Sequence, residues 1–425
     1  MKVLNAFFAF LILTVIQQIL YTFKIVEKHV VIITCLSGLS FAVLRYATEN
    51  ETYIVPLFFA LLASFNYIKF ITAGKNRYVL YAGLCAAISV LFHQTYILWW
   101  LGLLIGFISE KRKKPALLYI MISLIAPIVY LIVFLTNKEG SGWVNIAGFI
   151  FGDLRENARI GLTGKGMLLS IINLIRSFIQ VHGYIFKMIR ENLLLLIPGI
   201  VSLFFVVLAF LKFPERSKIN ISKRFTIVHI IIIVFQFIFA MVSSGNAEFM
   251  VMIPVLVFIL MPFFALNYEK FLLRIMIAMA VWNISYGLIP LHYKSQAPEQ
   301  FLCEMALSGK NIIIVASDDQ LLKSMLYYKT GDNSISSIYK SPAVLEIKGK
   351  DPGILEGVID SALNKGTDIY TNCLDDAVIS RSSILEGQRN KEFFRNYETK
   401  LLKSWKMATR TKSIYKVERK LKTRT

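Results

Sequence analysis

Apolar runs of near-membrane length recur through the first two thirds of the chain, divided by short polar breaks, and the last third turns to a mixed pattern. A bilayer core takes about 20 apolar residues of helix. On that measure the runs predict about ten spanning helices: Val3–Phe23, Val30–Ala47, Tyr53–Ile71, Tyr78–Phe92, Thr95–Ile108, Pro115–Thr136, Asn192–Leu211, Phe225–Val242, Phe249–Leu266 and Leu272–Leu291. The fourth and fifth are short and meet at His93-Gln94, a tight polar corner. Met167–Ile189 is apolar but interrupted by Asn173, Arg176, Gln180, His182 and Lys187, the pattern of an interfacial or bundle-buried helix rather than a clean span.

The pattern divides the chain into a helical membrane region, residues 1–292, and a soluble α/β domain with a basic tail, residues 293–425. In the second part, Asn311–Ala316 reads as a strand, and Ser317-Asp318-Asp319 caps a helix through Tyr328. Pro352–Leu363 reads as helix, Thr367–Thr371 as strand and Ser383–Tyr397 as helix. Leu401–Met407 and Ser413–Val417 then close the chain as β segments. Strands alternating with helices predict a small α/β layer structure.

Composition agrees with a membrane class: 56% of residues are apolar and the mean hydropathy is +0.59. The net charge of +20 does not require nucleic acid, because membrane proteins gather Lys and Arg in cytoplasmic loops. Glu110-Lys-Arg-Lys-Lys114, Lys212–Arg224, Lys69–Arg77 and the turn around Lys270 and Arg274 mark the cytoplasmic side. Fixing them inside puts Thr48–Thr52, His93-Gln94, Asn137–Lys165, Ser243–Glu248 and everything after His292 outside, provided Met167–Ile189 does not cross. The N-terminus then lies outside as well. Either the first helix inserts tail-out, or an upstream helix and its outer loop precede this sequence. Cys35 and Cys85 read as small apolar residues, whereas Cys303 and Cys373 could pair outside the cytoplasm.

Candidate chemistry lies in the outer loops. Glu49 and Glu51 share one short loop, where two carboxylates act as a base, hold a divalent metal such as Mg or Mn, or simply keep a turn in water. Arg45 sits inside the preceding apolar run, where an unpaired guanidinium is costly; it suits a phosphate or a salt bridge to Glu49, four residues on. Tyr53, His93 and Gln94 add polar groups that could meet a phosphate or a sugar hydroxyl. Arg155 and Arg159 stand in a long glycine-rich loop with the character of a lid, and Arg176 and His182 on the interrupted helix. Glu248 opens a late helix, where the dipole also favours an acid. A Walker A loop, HExxH, CxxC and GxSxG are all lacking from the sequence, so nothing in it supports an ATPase, a zinc protease or a serine hydrolase.

Three stretches carry a resemblance. Arg45-Tyr-Ala-Thr-Glu-Asn-Glu-Thr-Tyr53 is similar to the second outer acidic loop of the GT-C superfamily of polyprenol-phosphate-sugar glycosyltransferases. Tyr81–Gln94 resembles its glycine-bearing helix ending at a polar outer corner, and Asn246-Ala-Glu-Phe-Met-Val-Met-Ile-Pro254 its late helix opening. The protein O-mannosyltransferases and the lipid A aminoarabinose transferase are of this kind. The resemblance implies an inverting transferase at the outer face of a bacterial cytoplasmic membrane. It would move a sugar from a polyprenyl-phosphate donor to a lipid, glycan or protein, with Glu49 or Glu51 positioning acceptor or metal. Arg45, His93 and Arg176 would hold the donor phosphate. The sequence departs from the family in three ways: the first acidic outer loop is missing, His93-Gln94 stands where a corner Lys is usual, and Glu248-Phe249 replaces a late Arg-Tyr. An inactive or truncated relative, a surface-polysaccharide polymerase or ligase, and a transporter are the competing readings. The polymerase class needs no C-terminal α/β domain, and a transporter would show repeated halves and charges at mid-helix.

Overall fold

A computed structural model of the chain is mostly helical, with one small sheet near the C-terminus; it describes residues 1–110, 113–136, 164–211, 222–243, 245–264, 269–292, 296–308, 311–331, 337–347, 349–375, 381–406 and 411–420. Residues 1–181 with 194–288 form one compact unit, and residues 182–193 with 289–425 a second.

Among the described residues, six helices are long and apolar enough to cross a membrane: Lys2–Thr22, Ile54–Ala73, Lys113–Thr136, Leu193–Phe210, Lys223–Val242 and Glu269–Leu288. A bent pair, Glu27–Leu39 and Phe41–Thr48, makes seven if it counts as one span. The chain thus has the pattern of a multi-pass membrane protein with fewer spans than the ten expected from the sequence. The difference has two physical causes. Several apolar runs stop short: Asn76–Phe92, Gln94–Ile108 and Ala247–Pro262 fall below spanning length. At about 1.5 Å per residue, the 17 residues of Asn76–Phe92 fall short of a core about 30 Å thick. The second cause is the run Val30–Ala47, which bends by 61° at Ser40 and is not one straight helix. Met167–Ile189 also divides, into Gly164–Phe178 and Tyr184–Glu191.

Each break exposes backbone groups that no water in a hydrocarbon layer could satisfy, and buried amide side chains meet them. Asn283 is fully buried and donates to the carbonyls of Leu39 and Phe178, both at 2.8 Å, while its own oxygen accepts from the Gln180 amide at 2.9 Å. Trp282 adds a bond to the Gln180 carbonyl at 2.7 Å. One side chain therefore ties the bend after Leu39 to the end of Gly164–Phe178. Gln236 does the same for the Phe249 carbonyl at 2.6 Å, and Asn173 for the Gly245 carbonyl at 2.6 Å. Gly245 needs its φ of +74°, and a side chain there would strike the backbone of Ser170. Tight helix contacts complete the unit. A Cβ on Gly83 would run into Ile122, so only a bare Cα lets those helices approach.

The second unit holds a five-stranded sheet in the order β2-β1-β3-β5-β4, with β1 Ile312–Ala316, β2 Ile338–Lys340, β3 Asp368–Thr371, β4 Tyr397–Lys406 and β5 Thr411–Arg419. The first three strands are parallel, and β5 runs antiparallel to β3 and β4. The expected strands and the helices Asp319–Thr330, Gly353–Asn364 and Arg381–Phe394 appear within a few residues of their sequence bounds. Asp318 caps Asp319–Thr330 by accepting from the Leu321 amide at 3.0 Å. Helix Ala297–Leu307 and the short β2 are additions. Strands β1 and β3 are covered on both faces, as parallel strands require, whereas β4 is mostly exposed. Leu302, Cys303, Ile314 and Leu326 pack on one face, and Val315, Ile359, Ile369, Cys373 and Phe394 on the other. A Cys303–Cys373 bridge is therefore ruled out: the two thiols are buried in separate clusters and both are free. Burial pushes the Cys373 thiol up to about 12.

Replacing Asn283 with Ala leaves two carbonyls and one amide buried without partners. The expected cost is on the order of 2 kcal/mol or more, read as a lower thermal midpoint of the detergent-purified protein.

Candidate functional site

The acidic loop gains its shape from the first helix. Asn5, fully buried near the start of Lys2–Thr22, donates its two amide hydrogens to the carbonyls of Glu49 and Glu51, at 2.9 and 2.6 Å. Residues 49–53 therefore lie against the end of that helix and run straight into Ile54–Ala73.

Around this loop the structure brings together residues far apart in sequence. Arg45 Nε bonds Glu49 Oε2 at 3.0 Å, and the guanidinium lies over the Tyr46 ring at 4.9 Å. The Tyr53 hydroxyl donates to Glu248 Oε2 at 2.9 Å, a pair separated by 195 residues. Asn246 accepts from the Glu248 amide at 3.0 Å and turns the chain into its 3-10 helix. The Tyr53 ring meets Tyr46 and His93, with centroids 4.9 and 4.8 Å apart. Tyr96, also buried, donates to the Tyr53 carbonyl at 3.1 Å. Thr95 pairs with His93 Nδ1 at 2.8 Å. Three loops assigned to one membrane side by the sequence thus meet at one end of this unit. At another point of the same unit, Arg224 pairs with Glu110 at 2.5 Å, joining two segments assigned to the opposite side.

The carboxylates are not equivalent. Glu49 is held by Arg45, which is the salt bridge weighed at the sequence level, and Glu248 accepts from Tyr53 and Asn246. Glu51 is exposed, and among the described residues its carboxylate accepts no hydrogen bond. Partial desolvation, then the negative charges of Glu248 and Glu49, hold its carboxyl above the ordinary value, and Arg45 pulls the other way. Burial first, then the Glu248 charge, raises the Tyr53 phenol, which therefore stays a donor. Burial lowers the His93 imidazole against the pull of Glu248, which favours the neutral ring.

Among the described residues, two polar atoms in this cluster lack partners. The Tyr46 hydroxyl, on a side chain 1% exposed, and Asn5 Oδ1 are both buried and unbonded. Arg45 also uses only Nε; among the described residues its terminal nitrogens make no hydrogen bond. A buried polar atom without a protein partner calls for another, whether an ordered water, an ion or a ligand.

The other expected residues are placed differently. Gln94 turns to the Tyr130 hydroxyl. Arg176 bonds Gln180 at 3.3 Å, sits 5.9 Å over the Phe41 ring and lies within electrostatic range of Tyr46. His182 belongs to the second unit, where it accepts from the Tyr184 amide at 3.3 Å. Arg155 and Arg159 lie outside the described residues. Among the described residues, no three His, Cys, Asp or Glu side chains converge to hold a metal ion. Asn5, Asn246 and Tyr96 were missed. An isolated amide early in an apolar run was the available sign for Asn5. No protein-family model and no curated protein matches the sequence.

Tyr53→Phe removes the bond to Glu248 and is expected to cost about 1.5–3 kcal/mol, the range for a hydrogen bond to a charged group. Thermal unfolding of Tyr53→Phe, Glu248→Gln and the double variant should show non-additive losses.

Proposed function

We propose that the chain is a membrane glycosyltransferase. It moves a sugar from a polyprenyl-phosphate donor to a hydroxyl of a lipid, glycan or protein at the outer face of a bacterial cytoplasmic membrane. One observation carries the reading: an unbonded carboxylate, Glu51, shares a helix-end cluster with an arginine whose terminal nitrogens are unused and with a buried, unbonded tyrosine hydroxyl. A reaction that takes a proton from one group and leaves charge on another needs this pairing of base and donors. The positive loops support the outward orientation of that end, and of the C-terminal unit with it.

In this reading the acceptor hydroxyl attacks the anomeric carbon of the donor. Its proton passes to Glu51 as the new C–O bond forms. The bond from the anomeric carbon to the phosphate oxygen breaks with inversion, and the negative charge left on the lipid phosphate is met by the Arg45 terminal nitrogens and the Tyr46 hydroxyl. The Arg45–Glu49 pair holds the guanidinium in place, and Tyr53 with Glu248 fixes the wall beside it. Neutral His93 offers a ring at the lip. The soluble α/β unit weighs against a polysaccharide polymerase or ligase, which needs none.

The test is transfer from a polyprenyl-phosphate sugar by purified protein in lipid nanodiscs. Glu51→Gln and Arg45→Ala should each lower turnover by at least about a hundredfold, in the range for a catalytic base or charge-stabilising donor, with expression unchanged. A carboxyl held above its ordinary value is protonated at low pH and becomes a base as pH rises, so kcat/KM should climb through a titration above the normal carboxylate range. That limb should vanish in Glu51→Gln. Full turnover in both variants would end the assignment.

A further inference from the structure

The second unit contains a cavity of about 680 Å³ that the chemistry above does not use. It forms where the hairpin β4–β5 outruns β3. Strand β3 pairs only with residues 415–417 of β5, whereas β4 pairs with β5 from Thr411 to Arg419. Residues 411, 413, 415 and 417 share one face of the strand. At Val417 that face is core, packed with Phe394 and Tyr397. Beyond it the same face turns to Tyr415, Ser413 and Thr411, which line the cavity. Along this face the core thus gives way to hydroxyls, and no described residue fills the space.

Charged groups surround it. Asp375, just past β3, accepts from the Ser413 amide at 2.9 Å, so a carboxylate is fixed to the strand where β3 no longer pairs with it. Lys391 from helix Arg381–Phe394, and Arg395 just after it, supply two cations to the lining. Among the described residues, the Arg395 guanidinium makes no hydrogen bond or ion pair. A site of this volume has the size of a small-molecule pocket, and its hydroxyls and charges suit a polar ligand. Hydroxyls with one carboxylate exchange hydrogen bonds with a polyol, the Tyr415 ring offers a face to sugar C–H groups, and a planar guanidinium grips a carboxylate or phosphate.

We infer that this cavity binds an anionic saccharide, its negative group held by Arg395 and Lys391 and its hydroxyls by Asp375, Ser413 and Tyr415. The inference does not rest on the transferase reading and fails or stands separately from it.

The full-length protein in detergent is titrated by calorimetry with trigalacturonate, glucose phosphate, maltotriose and inorganic phosphate. At least one anionic saccharide should bind about tenfold or more tightly than maltotriose and inorganic phosphate, the scale of one charged hydrogen bond. Arg395→Ala and Lys391→Gln should each weaken that binding by about tenfold or more, while Lys400→Ala, outside the lining, leaves it unchanged. Thermal midpoints equal to the parent establish that the variants fold. Arg395→Lys, which keeps the charge but loses the planar fork, should fall between parent and Arg395→Ala. Four outcomes overturn the inference: equal binding of maltotriose, tightest binding of inorganic phosphate, no binding of either anionic saccharide, or Arg395→Ala and Lys391→Gln both without effect.

Discussion

Broken helices in an apolar bundle need a partner for every freed backbone group, and that need organises the first unit. A carbonyl left unbonded in a low-dielectric interior costs several times what a solvated one does. Here the partners are side-chain amides. Asn283 splints the bend after Leu39, Gln236 holds the Phe249 carbonyl, Asn173 holds Gly245, and Asn5 holds the two carbonyls of the acidic loop. Tyr286, within the π-helical turn Ile284–Leu288, adds a hydroxyl bond to the Leu195 carbonyl at 2.5 Å. Polar residues inside apolar runs are thus mostly structural pieces that allow the chain to turn where it does.

That division explains what the sequence revealed. Apolar runs, the acidic loop and the alternating strands were legible because each depends on residues near one another in the chain. Tyr53, next to the acidic loop, meets the residues at the other two openings, His93 and Glu248. The number of spans was not legible, because a run of apolar residues does not say whether its helix is straight. Ser37-Gly38 just before Ser40 is a kink signal, but the partner that holds the bend, Asn283, lies more than 240 positions away. Asn5 had no local partner in sequence either. Gln180 was read as a polar interruption of a helix, yet its backbone, not its side chain, joins the Asn283 and Trp282 network.

The second unit shows the opposite balance. Its strands were nearly all visible, since a parallel sheet buried on both faces writes itself as short β-branched runs such as Ile312–Ala316. What lay beyond reach was depth. Cys303 and Cys373 look equally available in a polar stretch, but the sheet stands between their clusters. Likewise the change along β5 from Val417 to Tyr415 and Ser413 reads as ordinary alternation until the short reach of β3 is known.

The two bonds from Asn5 couple position to chemistry. A movement of the first helix that breaks both bonds would release the Glu49 and Glu51 carbonyls together. The lip would then lose the anchor that sets where its carboxylates stand. The depth at which that helix sits is therefore a mechanical setting for the acidic lip, fixed by a single amide.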